Sequence, residues 1–131
     1  MTQHFSSWFS TTTGHPEPHR WQRILAESPE CTNRLIRVPT GLGKTEGVLG
    51  AWAWNRLIRS DPSWPRRLVW CLPMRVLVEQ TVAIAGKFLQ DMPVPDSTHR
   101  NEPPGARVFA LMGGVELEDW HLHPEEPAVL I

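Results

Sequence analysis

Pro39-Thr40-Gly41-Leu42-Gly43-Lys44-Thr45 brings together, in one short run, the groups that hold a phosphate chain. Gly41 and Gly43 can turn the backbone without a Cβ clash, which lets consecutive N–H groups face an anion. A helix beginning at about Gly43 or Lys44 would add the partial positive charge of its N-terminus. The Lys44 ammonium would reach the β- and γ-phosphates of a nucleotide, and the Thr45 hydroxyl would ligate Mg²⁺. The chemistry expected here is therefore binding of a nucleoside triphosphate with Mg²⁺, through Thr40, Gly41, Leu42, Gly43, Lys44 and Thr45. The strict form of the phosphate loop would place a glycine at position 38, where Val38 stands, so the match is to the shorter Gly-x-Gly-Lys-Thr form.

Such a loop needs a strand to deliver it and a helix to continue it. Leu35-Ile36-Arg37-Val38 reads as a short strand ending at Pro39, and residues 45–59 contain no proline and carry the apolar positions of a buried helix. Upstream, Trp21, Ile24 and Leu25 suit a short amphipathic helix over 17–28, stopped by Pro29. Residues 1–17, rich in Ser and Thr, read as an irregular N-terminal segment. Downstream, Arg67 to Leu72 is an apolar run with little alternation, as a strand covered on both faces would be. A helix is predicted over 74–89, a third strand over 107–112, and the start of a fourth over 128–131. Proline clusters at 14–18, 93–104 and 124–127 read as loops between these elements. Strands alternating with helices predict an α/β fold: a parallel sheet with helices on both faces. The last strand breaks off at Ile131, so the domain spanning 18–131 is expected to be incomplete at its C-terminus.

The bulk numbers fit one small domain. The chain has 131 residues, 40% hydrophobic and 21% charged, and a formal net charge of −1. That balance excludes binding of nucleic acid through bulk positive charge, though not through a single lined channel. No stretch approaches the ~20 apolar residues of a membrane span. Neither a basic start nor an apolar run opens the chain, and Cys31 and Cys71 stand alone, so a cytoplasmic protein with reduced thiols is expected.

Several segments, taken with the loop, resemble superfamily 2 helicases of the DEAD/DEAH type. Leu72-Pro73-Met74-Arg75-Val76-Leu77-Val78-Glu79-Gln80 resembles motif Ia of that family, which touches a nucleic-acid backbone, and Arg75 matches its phosphate-contacting arginine. His19-Arg20-Trp21-Gln22 resembles the adenine-reading glutamine motif, in which the Gln22 carboxamide would both donate to and accept from the base. Phe5, seventeen positions earlier, matches an aromatic that packs on the base in one branch. Glu46 directly after Thr45, then Leu111-Met112-Gly113-Gly114, Trp120 and Pro127-Ala128-Val129-Leu130-Ile131, resemble the CRISPR-associated helicase-nuclease of type I systems. The resemblance spans most of residues 15–131. It implies the front of a P-loop NTPase (RecA-like) domain, an ATP-dependent motor on single-stranded DNA, and a CRISPR surveillance complex as partner.

The same resemblance exposes what the chain lacks. The family's Asp-Glu-x-x motif, which holds Mg²⁺ and orients the attacking water, has no match. Glu118-Asp119-Trp120-His121 lacks an apolar strand before it and reads as a surface loop or short helix. His121 and His123 lie two apart with His99 distant, and read as solvated loop residues. No catalytic residue is therefore assigned, and the isolated chain is expected to hydrolyse negligible ATP. Two alternatives stay open: another class of P-loop enzyme, although no Asn-Lys-x-Asp base reader of a GTPase is present, and a non-catalytic nucleotide-binding remnant.

Overall fold

A computed structural model describes residues 3–93, 106–114, 116 and 118–131. The elements in chain order are α1 (Phe5–Thr13), α2 (Arg20–Ala26), α3 (Lys44–Trp52), β1 (Arg67–Val69), α4 (Arg75–Asp91), β2 (Arg107–Phe109) and β3 (Ala128–Leu130). A π-helical stretch, Ala53–Ile58, continues α3, and a 3₁₀ turn covers Trp120–Leu122.

The expected α/β character is present in a small form. Three parallel strands pair in the order β1-β3-β2, with Leu68 and Val108 flanking Val129 in register. β3 takes the centre because Ala128, Val129, Leu130 and Ile131 are all apolar and all buried. A central parallel strand is covered on both faces and tolerates no polar side chain there. β1 lies at the edge, and Val69 is 58% exposed, so the two-sided cover expected of Arg67 to Leu72 is not found. The principal helix packing on the sheet is α4 against β2.

Two further expectations are corrected. Residues 1–17 are not irregular throughout, since Phe5–Thr13 forms α1. Phe5, Trp8 and Phe9 fall at helical spacing and are all buried. That apolar face outweighs the weak helix propensity of the serines and threonines. The hydroxyls of Thr11, Thr12 and Thr13 each donate to the carbonyl four residues back, at 2.8–3.0 Å, so they find partners within the helix. Gly14, at φ 79°, ends the helix. Second, Leu35-Ile36-Arg37-Val38 lies outside the sheet, with Leu35 84% exposed. A lone extended segment with no neighbour to accept its backbone hydrogen bonds gains nothing from strand geometry, and water satisfies it instead. The proline-rich loop at 93–104 falls almost wholly outside the described residues.

The core is aromatic. Four of the seven tryptophans, Trp8, Trp52, Trp54 and Trp64, are buried, with Phe5, Phe9 and Phe88. Trp8 sits at the middle, 5.4 Å from the Trp54 ring and 5.8 Å from Phe88, the latter edge-on. Such tilted contacts suit the ring quadrupoles and add to the area buried. Its indole N–H donates to the Pro93 carbonyl at 3.1 Å, which satisfies the one polar atom carried inward. Asn55, fully buried, joins the helices: its amide donates to Ala26 and Ala51 carbonyls at 2.8 Å each, and its oxygen accepts from Arg59. By taking the Ala51 carbonyl, Asn55 intrudes on the α-helical ladder, which accounts for the wider turn beginning at Ala53. Among the described residues no helix is long and apolar enough to cross a membrane.

Candidate functional site

Gly41 and Gly43 adopt φ 88° and 67°, the left-handed region where a side chain would be strained. The turn they make delivers Lys44 as the first residue of α3 and Thr45 as the second. Both glycines, the helix start and the exposed Lys44 therefore stand where the spacing predicted. No carboxylate lies within ion-pair distance of Lys44 among the described residues, which leaves its ammonium available to an anion.

Beside this turn opens a cleft of about 740 Å³, within the ~300–1,000 Å³ of small-molecule sites. Gln22, Thr40, Gly41, Gly43, Lys44 and Thr45 all line it. Leu42 does not; its contribution is a carbonyl directed at α2. Arg75 is also absent from the lining. It stands exposed at the start of α4, 3.5 Å from Glu79, as a solvated side chain.

The turn is held from behind. The Trp21 indole donates to the Leu42 carbonyl at 3.1 Å, and the Gln22 amide donates to the Gly43 carbonyl at 3.0 Å. Two successive carbonyls are thus tied to α2, and among the described residues the amides of Gly41, Leu42 and Gly43 donate to no backbone carbonyl. Gly47 makes this approach possible: a Cβ there would come within 2.4 Å of the Trp21 ring and 2.8 Å of Gln22 Cγ. The Gln22 oxygen is engaged as well, accepting the His19 N–H at 2.8 Å, and Gln22 is 2% exposed. Both ends of the carboxamide expected to read adenine are thus bound within the protein. Phe5 is 2% exposed and stacks in the core, 6.0 Å from Trp54 and 5.3 Å from Phe9, so it is not free to pack on a base.

Residues that sequence reasoning did not single out complete the cleft. His15 and Glu46 pair across it at 3.2 Å, and Leu77 and Ile84 form an apolar wall from α4. Their signal in the sequence was faint. Leu77 and Ile84 are seven apart on one helix, which puts them on one face, but nothing local aims that face at the glycine turn.

A second polar cluster lies near the 3₁₀ turn, which falls where a surface loop or short helix was expected. His123, Glu125 and Glu126 offer ligand atoms within 4.8 Å of one another, while His121 is not part of the group. Arg107 accounts for much of that arrangement, at 2.8 Å from Asp119 and 3.7 Å from Glu126. The hydrogen bond from Arg107, helped by its charge and opposed by desolvation, holds the Asp119 carboxyl below the ordinary aspartate range. Cys31 and Cys71 are free and exposed.

The arrangement can hold an anion chain at the glycine turn, with a hydroxyl beside it and an apolar wall across the cleft. No family model, curated protein or solved structure matches the chain.

Proposed function

We propose that the chain binds the triphosphate of a nucleotide, with Mg²⁺, at the Gly41–Thr45 turn, as the nucleotide-holding part of a P-loop NTPase domain. The observation that carries this reading is the pair of left-handed glycines feeding Lys44 and Thr45 into the first turn of α3, at the edge of a nucleotide-sized cleft. The helix N-terminus, the loop amides and the Lys44 ammonium together supply the positive field that a polyphosphate requires. The Thr45 hydroxyl, half-buried on the cleft wall, is a suitable oxygen ligand for Mg²⁺. That ion would draw its other ligands from phosphate and water, as Mg²⁺ commonly does.

The motif order around the loop supports a narrower reading: the front of a superfamily 2 DNA helicase of the CRISPR interference type, with Arg75 toward the nucleic-acid backbone. The exposure of Arg75 is compatible with that role. Among the described residues the carboxylates on the cleft are Glu17 and Glu46, the latter 3.2 Å from His15, and the role proposed for this part of the chain is binding.

The test is calorimetric titration of the chain with MgATP. Lys44→Ala should weaken binding by at least about tenfold, the loss of one charge-assisted contact. Lys44 is exposed, so the variant should keep the parent's thermal midpoint. Equal affinity in parent and variant would sink the reading.

A further inference from the structure

We propose that the groove between α2 and residues 34–38 docks an acidic, extended peptide of another protein, which adds beside those residues as a strand. This surface is separate from the cleft at the glycine turn, and the proposal does not rest on the triphosphate reading. The groove measures about 340 Å³, and its lining includes Trp21 and Ile24 of α2 together with Arg34, Leu35, Ile36 and Arg37. The apolar members meet water: Leu35 is 84% exposed, Ile24 54% and Ile36 36%. Apolar surface gathered in one place, with charge beside it, marks an interaction site on a soluble domain.

The backbone sets the kind of partner. Among the described residues, no backbone hydrogen bond engages residues 31–38, so their N–H groups and carbonyls face water. An open extended edge is a template for one more strand, which satisfies its donors and acceptors in a single ladder. Because water already meets those groups, the ladder fixes register more than it adds affinity. Affinity comes from the apolar side chains that the added strand covers and from the charges that it meets.

Charge decides between occupants. Arg34 and Arg37 stand on the groove and no carboxylate lines it; Glu27 and Glu30, close in sequence, are outside the lining. Acidic side chains on a docked strand would meet both guanidinium groups, whose planar donors suit carboxylates. A second copy of this chain meets the opposite condition. Antiparallel pairing centred between Leu35 and Ile36 sets Arg34 of each copy opposite Arg37 of the other, and like charges directly opposite destabilise a pair. A single-stranded nucleic acid would meet the arginines but needs an aromatic face for its bases. The groove's aromatic residue, Trp21, is half-buried, with its indole N–H donating to the Leu42 carbonyl.

The experiment follows the fluorescence anisotropy of a labelled, end-blocked octapeptide of alternating valine and glutamate as the full chain is added. The expected Kd is roughly 100 μM or tighter, and the same peptide with lysine for glutamate should bind at least about tenfold more weakly. Arg34→Ala/Arg37→Ala should lose roughly three- to thirtyfold for the acidic peptide, the worth of two solvent-exposed ion pairs. Methylating the internal amide nitrogens of that peptide should cost at least about tenfold, since it removes the ladder donors and leaves charge and apolar surface in place. Arg34, Leu35 and Arg37 are all exposed, so an unchanged thermal midpoint certifies that a variant at these positions is folded. No binding of the acidic peptide overturns the proposal, as does equal binding of the lysine peptide, of the methylated peptide or by the arginine variant. A chain that sediments as a dimer and becomes monomeric in Leu35→Asp would make a second copy the occupant. A labelled oligothymidylate that binds the parent but not the arginine variant, where the acidic peptide does not bind, would make it a nucleic-acid groove. Either result also overturns the proposal.

Discussion

The aromatic helical end and the flank of the glycine turn are built on opposite terms. At the first, Trp8, Phe9 and Phe88 are 4% exposed or less, each ring packed among others. At the second, residues 31–37 are all exposed and Leu35 stands 84% in water, only a few positions from the residues best suited to chemistry. The turn itself is delivered by no strand of the sheet. It is held by the α3 helix that follows and by two side-chain donors from α2. The contrast separates two jobs. Burial fixes α3, and α3 fixes the position of Lys44. Part-buried hydrogen bonds from Trp21 and Gln22 fix the orientation of the loop carbonyls. A site can thus be well placed by a distant core while its immediate surroundings contribute little stability.

The largest effect should come from breaking the buried side. Trp8→Ala removes a fully buried indole, leaves a cavity, and strips the Pro93 carbonyl of its donor. The expected loss in denaturant unfolding is about 3–5 kcal/mol, against under about 0.5 kcal/mol for Leu35→Ala on the exposed flank. Comparable losses from the two variants would show that the flank is packed after all and would dissolve the comparison.

Where the sequence was legible follows from the same division. Gly41, Gly43, Lys44 and the start of α3 were readable because backbone conformation and helix capping are local matters, set by residue type within one turn. β3 was readable because an unbroken apolar run has few places to go. The strand expected at Leu35–Val38 failed because pairing is not local: an apolar run becomes a strand only where another offers a ladder. The helix at Phe5–Thr13 was hidden for the converse reason. Its serines and threonines suggested a loop, and only contact with Trp54 and Phe88 reveals what Phe5, Trp8 and Phe9 are for. Gln22 shows the limit of a motif. Its position by the glycine turn was legible, while the partners of its amide depended on how closely α2 approaches α3.

That approach can be perturbed next. In Gly47→Ala the new methyl meets Trp21 at 2.4 Å. Overpacking of this kind costs about 1–3 kcal/mol, set against about 1 kcal/mol gained in helix propensity. The net change in global stability should be small and the local change large. Displacing Trp21 from the Leu42 carbonyl, to which its indole N–H donates at 3.1 Å, should quicken exchange of that indole N–H while the backbone amides of α1 and α4 keep their protection. Adding Trp21→Ala should relieve the clash with the ring, making the pair less costly than the sum of the singles. Strict additivity would mean that Trp21 and Gly47 do not hold the turn together.

The smallest effect is expected at the ion-pair cluster, which lies away from both regions. Arg107 donates to Asp119 at 2.8 Å and keeps that carboxyl below the 3.8 of an ordinary aspartate. A carboxyl whose folded value is depressed contributes stability above its unfolded value and loses that contribution as pH falls through the folded one. The window therefore lies below pH 3.8. Asp119 is open to solvent and salt screens it, so the change should register in its own titration more clearly than in global unfolding. Carboxyl NMR should give a midpoint below 3.8 for Asp119, and Arg107→Ala should return it to the ordinary range. A midpoint unmoved by that substitution would assign the depression to the backbone of the 3₁₀ turn. The cluster would then be a product of local geometry, with no ionic tie between β2 and the segment that leads into β3.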